Sequence, residues 1–294
     1  MSTRSKDTDI TKGIEMDVGD TFEFDEIGYW SEIKLDIVRE YAKAYSKILS
    51  KQPGFHHVYI DAFSGAGVHL SKTTGELVPG SPLNALWIEP PFKEHFLIDI
   101  DGDKIKHLRS LIADRGNVHL FEGDCNDILI EKVFPLVTYE KYWRGLCLLD
   151  PYGLDLKWEI TQKAGEMKTM DLFLNFPVMA MNRGAIWQIT ERVPEKEFEK
   201  MISYWGDDSW KEVVYERVPF LWGCEERKIP GNDAIVAAFQ KRLKEKAHFE
   251  YVPEPIPMRN SKGAIVYYLF FASQKPVATK IIEDIFAKYR DRQG

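Results

Sequence analysis

Five short apolar runs, 57–63, 96–100, 118–121, 146–149 and 171–176, each give way to polar or turn residues, and helical patterns such as 103–114 and 158–167 lie between them. A run that is apolar on successive residues suits a strand buried on both faces, the situation of a parallel strand covered by helices. Strand and helix that alternate in this way are joined by right-handed crossovers and wind a sheet in both directions. The chain is therefore expected to be α/β and doubly wound.

The flanking segments fit this frame. Over 29–50, Trp30, Ile33, Ile37, Tyr41, Ala44, Tyr45 and Ile48 recur at steps of three and four, which predicts an amphipathic helix against one face of the sheet. Residues 1–20 are polar with little apolar periodicity and read as a loose leader. Residues 21–183 read as the main part of the core. From 184 to 230 the rhythm breaks into a charged segment carrying Trp187, Trp205, Trp210 and Trp222, a helical insertion after the fifth strand for substrate or partner recognition. Residues 231–294 return to the core with a helix over 232–246, a proline-rich strand near 251–258 and an apolar strand over 264–273. These two strands should close the sheet edge as an antiparallel hairpin.

A net charge of -7 argues against indiscriminate coating of DNA, which rests on many cations neutralising phosphates, so any nucleic-acid contact must be local. Cys125, Cys147 and Cys224 are far apart and lack metal-ligand spacing, so neither a disulfide framework nor a metal site is expected, and a reducing cytoplasm fits. The start lacks an apolar signal segment and no apolar run is long enough to span a bilayer, so no membrane is expected as a partner.

In open α/β sheets ligands bind beyond the carboxyl ends of the strands, and acids stand at four of these ends. Asp61 precedes Phe63, Ser64, Gly65, Ala66 and Gly67, where the glycines allow backbone amides to approach a ligand; an ordinary tight turn is the competing reading. Asp99 can accept both hydroxyls of a ribose. Asp124, with Cys125 after it, can take an adenine amino group, or can simply be a turn residue or cap. Asp150, Pro151, Tyr152 and Gly153 follow the fourth strand; a carboxylate and a neighbouring carbonyl can grip an exocyclic NH2 while a ring stacks on the base. Asn175 and Arg183 can line the substrate side of the same crevice.

Together the segments 61–67, 80–82 (Gly-Ser-Pro), Asp124 and 150–153 resemble the three-Cys-motif partner protein family, whose members are similar to class I methyltransferases, over about 29–289. The resemblance implies a Rossmann-like, seven-stranded methyltransferase sheet, S-adenosylmethionine as cofactor, and a three-Cys-motif protein, related to radical-SAM proteins, as partner. Carried across by motif, Asp61, Phe63, Ser64, Gly65, Gly67, Asp99, Asp124 and Cys125 would bind the cofactor, and Asp150, Pro151 and Tyr152 would act on an amino group of a DNA or RNA base. Tyr152 follows Pro151 directly, whereas the adenine-N6 pattern carries two prolines; the Asp-Pro-aromatic-Gly form also resembles tRNA guanine-N2 dimethyltransferases, so adenine N6 and guanine N2 both stand as targets. Asp61 and Asp99 are further apart than the roughly 20 residues usual between such a turn and the ribose acid; the surplus, 68–91, is expected to fold over the cofactor.

Two other readings compete. A catalytically idle methyltransferase fold could serve as a binding subunit for the three-Cys-motif partner. An NAD-type Rossmann enzyme shares the glycine turn and ribose acid but gives no reason for the tetrapeptide after strand four.

Overall fold

The computed structural model describes residues 23–112, 114–188, 190–220 and 223–290. The expected leader at 1–20 and Trp222 lie outside them. The central sheet has seven strands: β1 (His56–Asp61), β2 (Glu94–Asp99), β3 (Val118–Glu122), β4 (Trp143–Leu149), β5 (Met170–Phe176), β6 (Ile256–Arg259) and β7 (Ile265–Ala272). Their order is β6-β7-β5-β4-β1-β2-β3. β1 to β5 are mutually parallel; β7 runs antiparallel to both β5 and β6. The seven-stranded, doubly wound α/β sheet and its closing hairpin are as the sequence predicts.

Alternation along the strands explains the two-faced burial. In β1, Val58 and Ile60 join the core on one face and Tyr59 the core on the other. One face is covered by α1 (Tyr29–Leu49), α2 (Ser81–Leu86), α3 (Gly102–Ile112) and α7 (Pro276–Arg290). The other carries α4 (Trp158–Glu166), α5 (Glu195–Trp205) and α6 (Asp233–Glu245). The α1 stripe shifts slightly from expectation: Ile33, Ile37, Tyr41 and Tyr45 are buried together with Lys34, whereas Ile48 is exposed.

Segment 184–230 is only partly helical, because Tyr215–Phe220 and Gly223–Lys228 pair as an antiparallel hairpin. Trp205 and Trp210 are buried in the same core as Phe176 and Phe239, so the insertion is packed into the sheet's own core. Segment 68–91 is also structured: Val68–Ser71 and Leu77–Pro79 form a hairpin, and Glu26–Ile27 adds a short parallel strand beside it.

The order reverses at β1, which pairs with β2 on one side and β4 on the other. Asp61 stands opposite Leu97 and Leu148, so Asp99 and Asp150 lie just beyond those partners on either side of it. The switch point thereby gathers three of the four acids at one end of the sheet.

Candidate active site

At the β1 end, the chain turns through Gly65 (φ 63) and Gly67 (φ 87), conformations that side chains rarely adopt. A Cβ at Gly67 would lie 2.7 Å from Leu108 of α3, so this glycine allows helix and turn to approach closely. At Gly65 nothing lies nearer than 3.9 Å, so that side of the turn is open. The Gly65 amide donates to Asp99 Oδ2 (2.8 Å) and the Asp101 amide to Asp99 Oδ1 (2.9 Å), which fixes the Asp99 carboxylate against the turn. Gly80 closes on the turn from above, its amide 2.7 Å from the Gly67 carbonyl.

Asp61 itself is fully buried. It accepts bonds from the Phe63 amide (3.3 Å), the Tyr59 hydroxyl (3.2 Å) and the Ser81 hydroxyl. Burial pushes its carboxyl up to about 6 despite these donors, and the charge of Asp150 adds to the shift.

Across the switch point, Asp150 forms an ion pair with Lys34 of α1, the side chains 21% and 11% exposed. Burial works against the Lys34 charge, but Asp150, Tyr267 and Asp61 outweigh it and hold the ammonium well above the usual lysine range. The ammonium also sits 5.7 Å from the centroid of the Tyr267 ring. Tyr152 leads away from this pair: its ring is 74% exposed, its hydroxyl donates to Asp25 Oδ2 (3.0 Å), and Lys104 of α3 lies 5.4 Å from the ring centroid and 2.6 Å from the same Asp25 oxygen. Against the cost of burial, Lys104 and Tyr152 hold Asp25 below the usual carboxylate range.

A cavity of about 800 Å³ opens between these groups, and Phe63, Gly65, Asp150, Pro151, Tyr152 and Asn175 all line it. It spans the ends of β1, β4 and β5.

No family model matches the sequence, and no curated protein matches it. In structure the chain is similar to a protein from Legionella pneumophila (12% identity, 87% of this chain and 92% of that one covered, TM-score 0.45). It is also similar to a protein from Listeria monocytogenes described as an S-adenosylmethionine-dependent methyltransferase (14%, 80% and 98%, TM-score 0.39). A third is Aeropyrum pernix fibrillarin, solved with natively bound S-adenosyl-L-methionine (12%, 80% and 76%, TM-score 0.30).

Of the residues singled out in the sequence, Phe63, Gly65, Asp150, Pro151, Tyr152, Gly153, Asn175 and Arg183 share the cavity wall. Asp61, Ser64, Gly67 and Asp99 stand behind it as the frame of the turn. Asp124 is set apart: it caps the short helix Cys125–Ile128, its Oδ1 accepting from the Asn126 amide and side-chain nitrogen, both at 2.8 Å. Cys125 is buried in the core, where burial pushes its thiol up to about 12. Among the described residues no cluster of His, Cys, Asp and Glu could hold a metal ion, and no helix is long and apolar enough to cross a membrane.

Sequence reasoning missed Lys34, Asp25 and Ser81. Lys34 left a signal, a cation between Ile33 and Leu35 on the buried side of α1. Ser81 lies in the Gly-Ser-Pro segment, but its contact with Asp61 depends on how 68–79 folds. Asp25 gave none, since nothing local ties it to Lys104 or Tyr152.

Proposed function

We propose that the chain is an S-adenosylmethionine-dependent methyltransferase, working in the cytoplasm, whose acceptor is an exocyclic amino group of a nucleic-acid base, adenine N6 or guanine N2. The observation that carries this reading is that the open side of the glycine turn and the carboxylate of Asp150 face one cavity from adjacent strands. Following the family resemblance, we also propose a three-Cys-motif protein as its partner.

The residues present suit the cofactor. Ser64 Oγ is buried with no hydrogen-bond partner among the described residues, and Gly65 beside it lines the cavity. Each Asp99 oxygen takes one amide donor, which leaves lone pairs for ribose hydroxyls. When bound, S-adenosylmethionine supplies a methyl group already activated as a sulfonium.

The protein's own task is then positioning and charge stabilisation. The lone pair of a base amine is delocalised into its ring, and the nitrogen would gain positive charge as its bond to the methyl forms and the methyl's bond to sulfur breaks, leaving S-adenosylhomocysteine; the methylated amine would then release one proton to solvent. Asp150, accepting an N–H bond from that amine, favours a pyramidal nitrogen and stabilises the charge. Lys34 holds Asp150 in place through its Oδ2. Tyr152 would close over the cavity mouth with Asp25 and Lys104.

Calorimetry with S-adenosylhomocysteine tests the cofactor half of this reading. Wild-type protein is expected to bind, and Asp99→Ala to bind at least about tenfold more weakly, the loss of one charged hydrogen-bond acceptor. No binding by the wild type, or equal binding by both, contradicts it.

One observation favours a second reading. The carboxylate that would do the chemistry is engaged by Lys34, as expected of an idle subunit that keeps the fold for binding its three-Cys-motif partner. Cofactor binding without methyl transfer, with that partner supplied, would support this reading.

A further inference from the structure

Asn175, near the end of β5, carries a buried acceptor with nothing to accept. The residue is 7% exposed, it lines the cavity, and its Oδ1 has no hydrogen-bond donor among the described residues. Buried polar groups are nearly always satisfied, so an exception in a cavity wall points to a donor on a ligand. Its orientation is set on three sides. The backbone is paired with Leu269 in β7, the backbone carbonyl accepts from the Tyr204 hydroxyl at 2.9 Å, and Nδ2 faces the Pro151 carbonyl at 3.5 Å. Turning the amide over would set Oδ1 against that carbonyl, two acceptors face to face, so Oδ1 is the atom left open.

We propose that Asn175 is a specificity-determining residue of the methyl-acceptor subsite, its Oδ1 taking one N–H of the substrate's amino group while Asp150 takes the other. This rests on the methyltransferase reading above and names which group recognises the amine. Lys34 engages Asp150 Oδ2, which leaves Oδ1 of that carboxylate for the substrate. Two acceptors in one wall match an NH2 group, which has two donors. A hydroxyl can satisfy only one of them, and a ring carbonyl presents a third acceptor to the pair. The subsite therefore selects amino bases and rejects their oxo counterparts. Trp187 and Tyr267 line the same cavity and give it flat walls against which a base ring can pack. The Pro151 carbonyl faces Asn175 Nδ2 and helps hold that amide in place.

The test is nucleoside binding followed by NMR, in the presence of saturating S-adenosylhomocysteine. The probes are adenosine against purine riboside, which lacks the 6-amino group, and guanosine against inosine, which lacks the 2-amino group. Wild-type protein is expected to bind one amino-bearing nucleoside at least about tenfold more tightly than its analogue, the scale on which a site built for an N–H rejects a ligand without one. Asn175→Leu, similar in size but without the acceptor, and Asn175→Ala, smaller and also without it, are each expected to erase that preference. Both variants should bind S-adenosylhomocysteine like the wild type, which also reports that they fold. If either variant binds S-adenosylhomocysteine and keeps the full preference, the role of Asn175 is wrong and the methyltransferase reading is untouched. If the wild type binds S-adenosylhomocysteine but prefers neither amino nucleoside, the amine subsite is wrong. If it binds no S-adenosylhomocysteine, the methyltransferase reading fails and takes this proposal with it.

Discussion

Asp61 is a carboxylate that the fold holds out of water at a cost, and the cost has a pH signature. Its folded-state value of about 6 lies above the ordinary 3.8, so the stability it contributes is full below 3.8 and is lost as the pH rises to about 6. Above that the ionised, buried group is a burden of about 3 kcal/mol. Asp61→Asn should therefore be more stable than the wild type at pH 8 by about that amount, and its stability should lack the wild-type decline between pH 4 and 6. Denaturant unfolding across this range measures it; parallel curves for the two proteins would contradict the assignment. The same variant should bind S-adenosylhomocysteine more weakly, since a strained acid is retained where it serves a ligand. At this scale the sequence was legible in the placement of Asp61, Asp99 and Asp150 at strand ends. Lys34 and Asp25 were not, because each meets its partner only through packing between segments far apart in the chain, 116 residues apart for Lys34 and Asp150.

The glycine turn shows how one element divides its residues between folding and binding. Gly67→Ala places a Cβ against Leu108 at a left-handed backbone position, and should cost about 3 kcal/mol of stability. Gly65→Ala meets only His69 Cε1, at an ordinary contact distance of 3.9 Å, so it should cost only about 1 kcal/mol, the price of the left-handed conformation. Its larger effect should be on cofactor affinity, because the added methyl projects where the ligand must approach. Thermal unfolding and calorimetry on the two variants separate these roles; equal losses of stability would show that the open side of Gly65 is an ordinary packed surface. The elements themselves were readable where periodicity is strong, as in α1 and the five parallel strands. The hairpin within 68–79 and α7 were not read. The former is short and mostly polar; α7 does carry a stripe at helical spacing, Ala278, Ile282, Ile285, Phe286 and Tyr289, so its signal was present and was passed over.

For the whole molecule, the insertion at 184–230 and the sheet form one core. Trp205 packs against Phe239, ring centroids 5.7 Å apart, and Phe239 stacks on Phe176 of β5 at 4.4 Å. Trp205→Ala should lower stability by about 4 kcal/mol, in a single transition that includes the sheet. Two separate transitions would mean that the insertion is an independent unit. The tryptophans were legible as a cluster but not as part of the main core, since the sequence gives no measure of how far an insertion folds back. The cavity joins the glycine turn to Asp150 and Asn175, and the central claim is that methyl transfer to a base amine takes place across it. The most direct test is incubation with methyl-labelled S-adenosylmethionine and separate DNA and RNA pools, with the three-Cys-motif partner supplied, followed by nucleoside analysis. The account predicts label in N6-methyladenine or N2-methylguanine, with turnover about a hundredfold lower in Asp150→Asn, the loss of about 3 kcal/mol of transition-state stabilisation. Absence of labelled nucleoside in both pools, label on a ring carbon or a ribose oxygen, or full turnover by Asp150→Asn would contradict it.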